Sequence, residues 1–249
     1  MRVKALTVVA LLLTTAAYGQ IGGDPPYMLE NGWKPLLNGN DLSGWVGENG
    51  KPHDWITAKA VWWDPAAAPK MLGAKAAPGS RILNSLKGKA NNLVTTEKFG
   101  DAELYLEFLI PQGSNSGVYL QGLYEVQIFD SYGKQTLSTS DGGAIYHRWI
   151  DGKPVAGSAP KVNASRPPGQ WQSYHVWFRA PRFDTSGNKT ENAKFVKVVH
   201  NGVLIQENVD LEGGTRSHMQ IPEAATNPLM LQGDHGPVAF RNIYIRPLR

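Results

Sequence analysis

Residues 114–130 read Ser-Asn-Ser-Gly-Val-Tyr-Leu-Gln-Gly-Leu-Tyr-Glu-Val-Gln-Ile-Phe-Asp, the pattern of two short strands joined at Gly122-Leu123. Alternate side chains of a strand point to opposite faces. Val118 and Leu120 therefore share one face with Tyr124, Val126 and Ile128, a set suited to a core. Tyr119 and Gln121 share the other with Glu125 and Gln127. A carboxylate, two carboxamides and a phenol in so small an area are groups that bind sugar hydroxyls and pack on sugar rings. A merely solvated strand face more often carries Lys, Thr and Ser. Much later in the chain, His235 lies in the turn Gly233-Asp234-His235-Gly236, where flanking glycines let the backbone come close to a ligand. Arg241 follows Phe240 in an apolar-patterned stretch and is equally suited to a structural ion pair with Glu125 or Asp130. The other histidines, His53, His147, His175, His200 and His218, have no metal-ligand spacing.

These groups need strands to hold them. Residues 102–110 send Ala102, Leu104, Leu106, Phe108 and Ile110 one way, and Glu103, Tyr105 and Glu107 the other. That alternation predicts a half-buried antiparallel strand. Residues 173–179 alternate too, with Tyr174, Val176 and Phe178 on one face. Residues 195–206 predict a hairpin turned at Asn201-Gly202, and residues 228–232 and 237–248 predict two further strands. The Ala-rich residues 66–77 follow Pro65 and are broken by Pro69 and Gly73, which argues against a long helix. Apolar residues nowhere recur at helical spacing over three turns, and no βα unit repeats. Many short strands with turn signals predict an all-β sandwich or barrel. Residues 131–172, rich in Gly, Pro, Ser and Lys, make a connection long enough to be functional or a subdomain of its own.

Composition bounds the setting. Arg2 and Lys4 precede an apolar run, residues 5–13, and Ala17-Tyr18-Gly19 places small residues where a signal peptidase reads. The run is too short to cross a bilayer, which takes ~20 residues. Residues 1–19 are therefore expected to be a signal peptide. Residues 20–32, with Pro25-Pro26 and glycines, are expected to form a flexible tail, and residues 33–249 one domain. The chain has no cysteine, which excludes disulfides, thiolate metal sites and a lipid-modified N-terminal Cys. The expected product is soluble and exported, periplasmic or extracellular, with no membrane contact after cleavage. Its formal charge of +4 falls to +2 without Arg2 and Lys4, and the remaining cations are scattered, which argues against nucleic acid as a partner.

Several pieces in order resemble the 3-keto-disaccharide hydrolase domain family. They are residues 36–45 (Leu-Leu-Asn-Gly-Asn-Asp-Leu-Ser-Gly-Trp), Asn115-Ser116-Gly117-Val118-Tyr119, residues 124–130, Gly143-Ala144-Ile145-Tyr146, Trp171-Gln172-Ser173-Tyr174, residues 231–236 and Phe240-Arg241-Asn242-Ile243. The resemblance covers roughly residues 33–249. It implies a concanavalin A-like jelly-roll β-sandwich of two antiparallel sheets, with a concave sheet holding a saccharide or keto-saccharide. It departs from the family where Trp-Asn is replaced by Trp171-Gln172.

The family's name implies its chemistry. A sugar oxidised at C3 has an acidic hydrogen at C2, and the C1 oxygen lies β to the ketone. A base takes the C2 proton, an enolate forms, and the C1 substituent leaves; water then adds at C1 or the eliminated product departs. That route needs a base, donors at the ketone oxygen and an acid at the leaving group, and no cofactor. Glu125, His235 and Arg241 are the expected catalytic residues, with the order of base and acid between Glu125 and His235 left open. Tyr119, Gln121, Gln127, Asp130, Tyr146 and Gln232 are the expected substrate contacts, and Trp149 stands between the rim and the core. Calcium has weak grounds: Asp141 and Asp151 sit in Gly-rich turns but no Asp-x-Asp-x-Asp loop surrounds them. Two alternatives stand beside this reading. One is a non-catalytic carbohydrate-binding module or lectin. The other is a laminarinase-type retaining glycosidase built on Glu125-x-Gln127-x-x-Asp130, which would need a bulge to bring Asp130 to the face of Glu125 and the two carboxyls ~5–5.5 Å apart.

Overall fold

The alternation seen in the sequence becomes two stacked sheets in a computed structural model, which describes residues 25–248. The expected signal peptide lies outside the described residues. Among them, the larger sheet runs Val203–Leu211, Ala193–His200, Gln172–Arg179, Ala102–Leu109, Ala239–Pro247, Arg81–Leu83, Ile56–Trp62 and Gly73–Ala76, and Lys34–Pro35 also pairs with Ala239–Pro247. The smaller runs Trp45–Gly47, Leu93–Phe99, Asn227–Leu231, Asn115–Leu120 and Tyr124–Phe129. Neighbouring strands are antiparallel in both. The fold is the two-sheet antiparallel jelly-roll sandwich that the pattern and the resemblance predict.

The core forms where the apolar stripes meet. Tyr174, Val176 and Phe178 of the larger sheet join Val118, Leu120, Val126 and Ile128 of the smaller in one cluster. Burying each such aliphatic side chain contributes roughly 1.5–3 kcal/mol. Because these residues face inward, their alternate neighbours Tyr119, Glu125 and Gln127 face away from the sandwich. The register fixes this, with Tyr119 opposite Glu125, Val118 opposite Val126 and Gly117 opposite Gln127. The hairpin at Asn201-Gly202 also forms, both residues taking positive φ as a tight turn requires.

Residues 102–110 differ from the half-buried strand predicted for them. Every residue of Ala102–Leu109 is buried, the polar ones included. The second face is covered by residues 25–33, all but Trp33 of which lie in the stretch, residues 20–32, expected to be a flexible tail. There Pro26–Leu29 makes one helical turn, and Tyr27 stacks on Tyr244 with ring centres 3.9 Å apart and planes 4° from parallel. Arg246 bonds Glu30 at 2.5 Å and Glu103 at 2.7 Å, and its guanidinium lies 4.5 Å from the Trp33 ring. His175 meets Glu103 at 2.7 Å from the other side. Alternation tells which residues share a face; it does not tell which distant segment covers that face.

The same alternation removes Arg241 from the site proposed for it. Phe240 is fully buried between the sheets, so Arg241 points out of the larger sheet, the side opposite Glu125. It lies directly across from Glu107, and its Nε donates to that carboxylate at 2.5 Å. Asn242 and Tyr105 donate to the same carboxylate, and the Arg241 guanidinium sits 4.2 Å from the Trp171 ring. Arg241 is therefore a structural ion-pair residue, one of the two outcomes its sequence context left open, although the partner is Glu107. Arg241→Ala leaves the shielded Glu107 carboxylate short of its cation and should cost about 1–3 kcal/mol, read as a lower urea midpoint with an unchanged slope.

Candidate active site

The site begins with a missing side chain. Gly117 sits beside Tyr119 and across from Gln127 on the outward face of the hairpin. A Cβ at Gly117 would lie 2.2 Å from Glu125 Oε1 and 3.0 Å from Tyr119 Cε2. The bare backbone at Gly117 is the space that the Glu125 carboxyl fills. Glu125 is only 2% exposed. Burial pushes its carboxyl up to about 8; a hydrogen bond from Tyr119 opposes the rise and the nearby negative charge of Asp234 adds to it. Burial likewise raises the Tyr119 phenol well above its ordinary range.

Around Glu125 lies a cavity of about 190 Å³ lined by Tyr119, Gln127, Tyr146, Gln232 and His235, all expected from the sequence, and by Asn115, Arg216 and Ser217, which were not. Three carboxamide oxygens there, Asn115 Oδ1, Gln127 Oε1 and Gln232 Oε1, are buried without a partner. Buried polar atoms are rarely left unpaired, so these oxygens offer acceptor capacity to whatever fills the cavity. Hydroxyl groups fit that need.

Main-chain bonds bring the distant segments together. Residues 143–146 run along the open edge of Tyr124–Phe129. There Gln127 N donates to Ala144 O, Gly143 N to Gln127 O and Tyr146 N to Glu125 O, which places the Tyr146 ring at the cavity. The irregular segment 214–219 is pinned at the hairpin turn by Thr215 N to Leu123 O, Met219 N to Gly122 O and Glu125 N to Thr215 Oγ1. It delivers Arg216 and Ser217. Gln232 N donates to Gly117 O, extending the Asn227–Leu231 strand to the site.

The turn carrying His235 is fixed from below by Asn84, which is fully buried. Its amide donates to Gly233 O at 2.8 Å and Gly236 O at 2.7 Å, and its oxygen accepts from Val238 N at 3.0 Å. Gly236 presses on Ser114 and Asn115, where a Cβ would come within 2.5 Å of Ser114 Oγ. His235 Nδ1 contacts Asp234 Oδ1 at 2.5 Å, and this partner raises the imidazole above its usual range. The contact occupies Nδ1 and leaves Nε2 as the nitrogen able to exchange a proton with a ligand.

Two expected substrate contacts lie elsewhere. Gln121 belongs to the turn, where Gln121 and Gly122 take φ of 56° and 65°, and not to the strand face. Its amide nitrogen is held by the carbonyls of Phe99 and Ala225. Asp130 falls past the strand end and closes a loop: its carboxylate accepts from Gly113 N at 2.8 Å. No bulge turns it toward Glu125, so the paired carboxylates of a retaining glycosidase are not assembled here. Among the described residues, no three His, Asp or Glu side chains gather as a metal centre would need. The Asp141 carboxylate is engaged by Ser131, Lys134 and Ser138.

A jelly-roll sandwich with a polar pocket on the outward face of one sheet is an architecture of carbohydrate-active proteins. The chain belongs to the 3-keto-alpha-glucoside-1,2-lyase-like domain family, whose model matches residues 32–246 and bears out the resemblance read from the motifs. None of the curated proteins compared matches the chain. Among solved structures, one from Parabacteroides distasonis, provisionally named a glycosyl hydrolase, is 29% identical, with 88% of this chain and 84% of that chain covered and a TM-score of 0.63. Two others from the same organism, provisionally named likewise, share the fold at 18% and 19% identity. They cover 88% of this chain and 94% and 100% of their own, with TM-scores of 0.55 and 0.53.

Gly117→Ala tests the central contact. The added methyl must displace the Glu125 carboxyl or the strand, an overpacking cost of about 1–3 kcal/mol. With Glu125 displaced from its niche, its titration, followed by carboxyl-carbon NMR, should move from about 8 toward the ordinary carboxyl range.

Proposed function

We propose that the protein is an exported enzyme that opens the C1 glycosidic bond of 3-keto-glycosides by elimination, with Glu125 as the base at C2. The observation that carries this reading is the Glu125 carboxyl, buried and raised to about 8 in a pocket of unpaired hydroxyl-binding groups. A lectin gains nothing from a carboxyl it must keep neutral, whereas a general base is most effective when its pKa lies near the working pH. A positive guanidinium at the cavity suits the ketone oxygen, and Arg216 takes the role first expected of Arg241. The 1,2-lyase in the family's description accords with elimination.

The steps balance without a cofactor. Ionised Glu125 takes the C2 proton, and the electron pair moves into the C2–C3 bond while negative charge collects on the ketone oxygen, facing Arg216. The charge returns, the C1–O1 bond breaks, and a C1–C2 double bond forms. His235, protonated and held by Asp234, gives the leaving oxygen its proton through Nε2. Water adding at C1 completes hydrolysis; release of the unsaturated sugar completes a lyase reaction. His235 is 47% exposed, which lets it exchange protons with solvent between turnovers.

The test follows aglycone release from 3-keto-glucosides and from the unoxidised sugars. A nitrophenyl group leaves without needing a proton, so with a nitrophenyl 3-keto-glucoside kcat/KM should rise with pH through about 8 as Glu125 ionises. Glu125→Gln should lose ~10²–10⁴-fold in rate, with affinity nearly unchanged and the rise gone. Removal of the buried carboxyl also has a stability consequence of fixed sign. The folded-state pKa lies above the unfolded one, so the unfolded chain sheds this proton first and stability falls as pH climbs from about 4.5 to about 8. Glu125→Gln should therefore melt higher than wild type at pH 8 and no higher at pH 4. An unchanged rate in the variant removes Glu125 from catalysis, and a wild type inert on every keto-sugar favours a binding module.

His235→Ala separates the acid from the base. It should slow a 3-keto-disaccharide, whose sugar alkoxide needs a proton, by ~10²-fold, and slow the nitrophenyl substrate far less. Equal losses on both would assign His235 to a role other than protonating the leaving group.

A further inference from the structure

The cavity at Glu125 adjoins a second cleft of about 420 Å³, and Arg216 and Ser217 line both. Small-molecule sites usually span ~300–1,000 Å³. The inner cavity, at about 190 Å³, is smaller than that and suits a single sugar ring. A glycoside has to place its other half elsewhere, and the adjoining cleft begins at the shared wall. Ser217 on that wall has a φ of 62°, a left-handed backbone of the kind that concentrates at ligand sites.

The two spaces offer different chemistry. The inner one presents unpaired amide oxygens. In the outer one three polar side chains are engaged with the protein: Arg148 with Glu212 at 2.8 Å, His218 Nδ1 with the Met219 carbonyl at 2.6 Å, and Gln220 Nε2 with the His218 carbonyl at 3.1 Å. Beside the exposed Arg216 and Ser217 it leaves open a flat aromatic ring and an apolar side chain. Trp149 is 46% exposed and Ile150 38%, on the short hairpin formed by Arg148–Ile150 and Lys153–Val155. The Arg216 guanidinium lies 4.0 Å from the Trp149 ring centre. A large aromatic ring exposed beside a pocket is a surface for stacking.

We propose that this outer cleft is the leaving-group subsite and that it takes a flat aromatic aglycone stacked on Trp149. The assignment rests on the elimination reading above and adds the substrate class: aryl 3-keto-glucosides in preference to disaccharides. Arg216 then joins the two subsites, with its cation turned to the sugar's ketone side and its plane stacked on the ring that holds the aglycone.

The experiment compares phenyl 3-keto-glucoside, methyl 3-keto-glucoside and a 3-keto-disaccharide on the wild type, Trp149→Ala and Trp149→Phe. Each variant is scored against the wild type on the same substrate, so differences in leaving-group ability cancel. Trp149→Ala should raise KM for the phenyl substrate roughly 3- to 10-fold and leave KM for the methyl substrate within about twofold. Trp149→Phe keeps a ring and should keep most of the phenyl preference. Titration calorimetry with the same three compounds reads the preference without turnover. A wild type that binds the phenyl compound more tightly but releases no aglycone therefore retires the elimination reading and keeps the subsite. Equal losses on phenyl and methyl substrates, no loss on either, or loss of the preference in the Phe variant too would overturn the assignment. A loss confined to the disaccharide would mean that the cleft takes a sugar, and the aromatic assignment falls.

Discussion

The burial of one carboxyl governs the site. An ionised Glu125 would have to give up its water for a niche between a glycine backbone and a phenol ring. Desolvation of a charge is expensive, and the group answers by holding its proton to about pH 8. Gly117 supplies the room, the Tyr119 phenol closes one side, and Thr215 ties the Glu125 backbone from below. The arrangement costs stability and leaves a carboxyl that exchanges its proton near neutral pH. The surrounding β-sandwich supplies the stability that the pocket gives up.

The two sheets share that work unequally. The outer face of the larger sheet is given to ion pairs and stacked rings, with Glu103, Arg246, Glu107 and Arg241 each engaged. The outer face of the smaller sheet carries the pocket. Four segments far apart in sequence meet there, and backbone bonds or a buried Asn84 hold each in place. The amide oxygens of Asn115, Gln127 and Gln232 are thus not needed to hold these segments together, and they stand without a protein partner.

Much of this was legible in the chain. Strict alternation in residues 114–130 fixed the face of Tyr119, Glu125 and Gln127, and Asn201-Gly202 announced its turn. The Gly-flanked His235 signalled a backbone drawn close to something. Alternation also contained the answer for Arg241, since Phe240 beside it is a core residue; its family-like setting outweighed a local rule that was stronger. Gln121 was misplaced because a turn residue with positive φ leaves the strand's face. Arg216 and Ser217 were missed for a different reason. They lie in an irregular segment with no periodicity, and only tertiary bonds to Leu123 and Gly122 carry them to the site. Asn84 gave no signal, because a buried asparagine that clamps a turn 150 residues away reads locally as a loop residue.

The strand Ala239–Pro247 lies in the interior of the larger sheet, between Ala102–Leu109 and Arg81–Leu83, with Lys34–Pro35 also paired to it. Its partners therefore come from the first half of the described chain, while it comes from the far end. No contiguous half of the sequence can build this sheet during synthesis, since its middle is missing until residue 247 has been made. Chain segments separated by well over a hundred residues must find one another, and long-range strand pairing of this kind is slow. Until that moment Ala102–Leu109 presents an unpaired edge, the sort of surface on which β-rich chains aggregate.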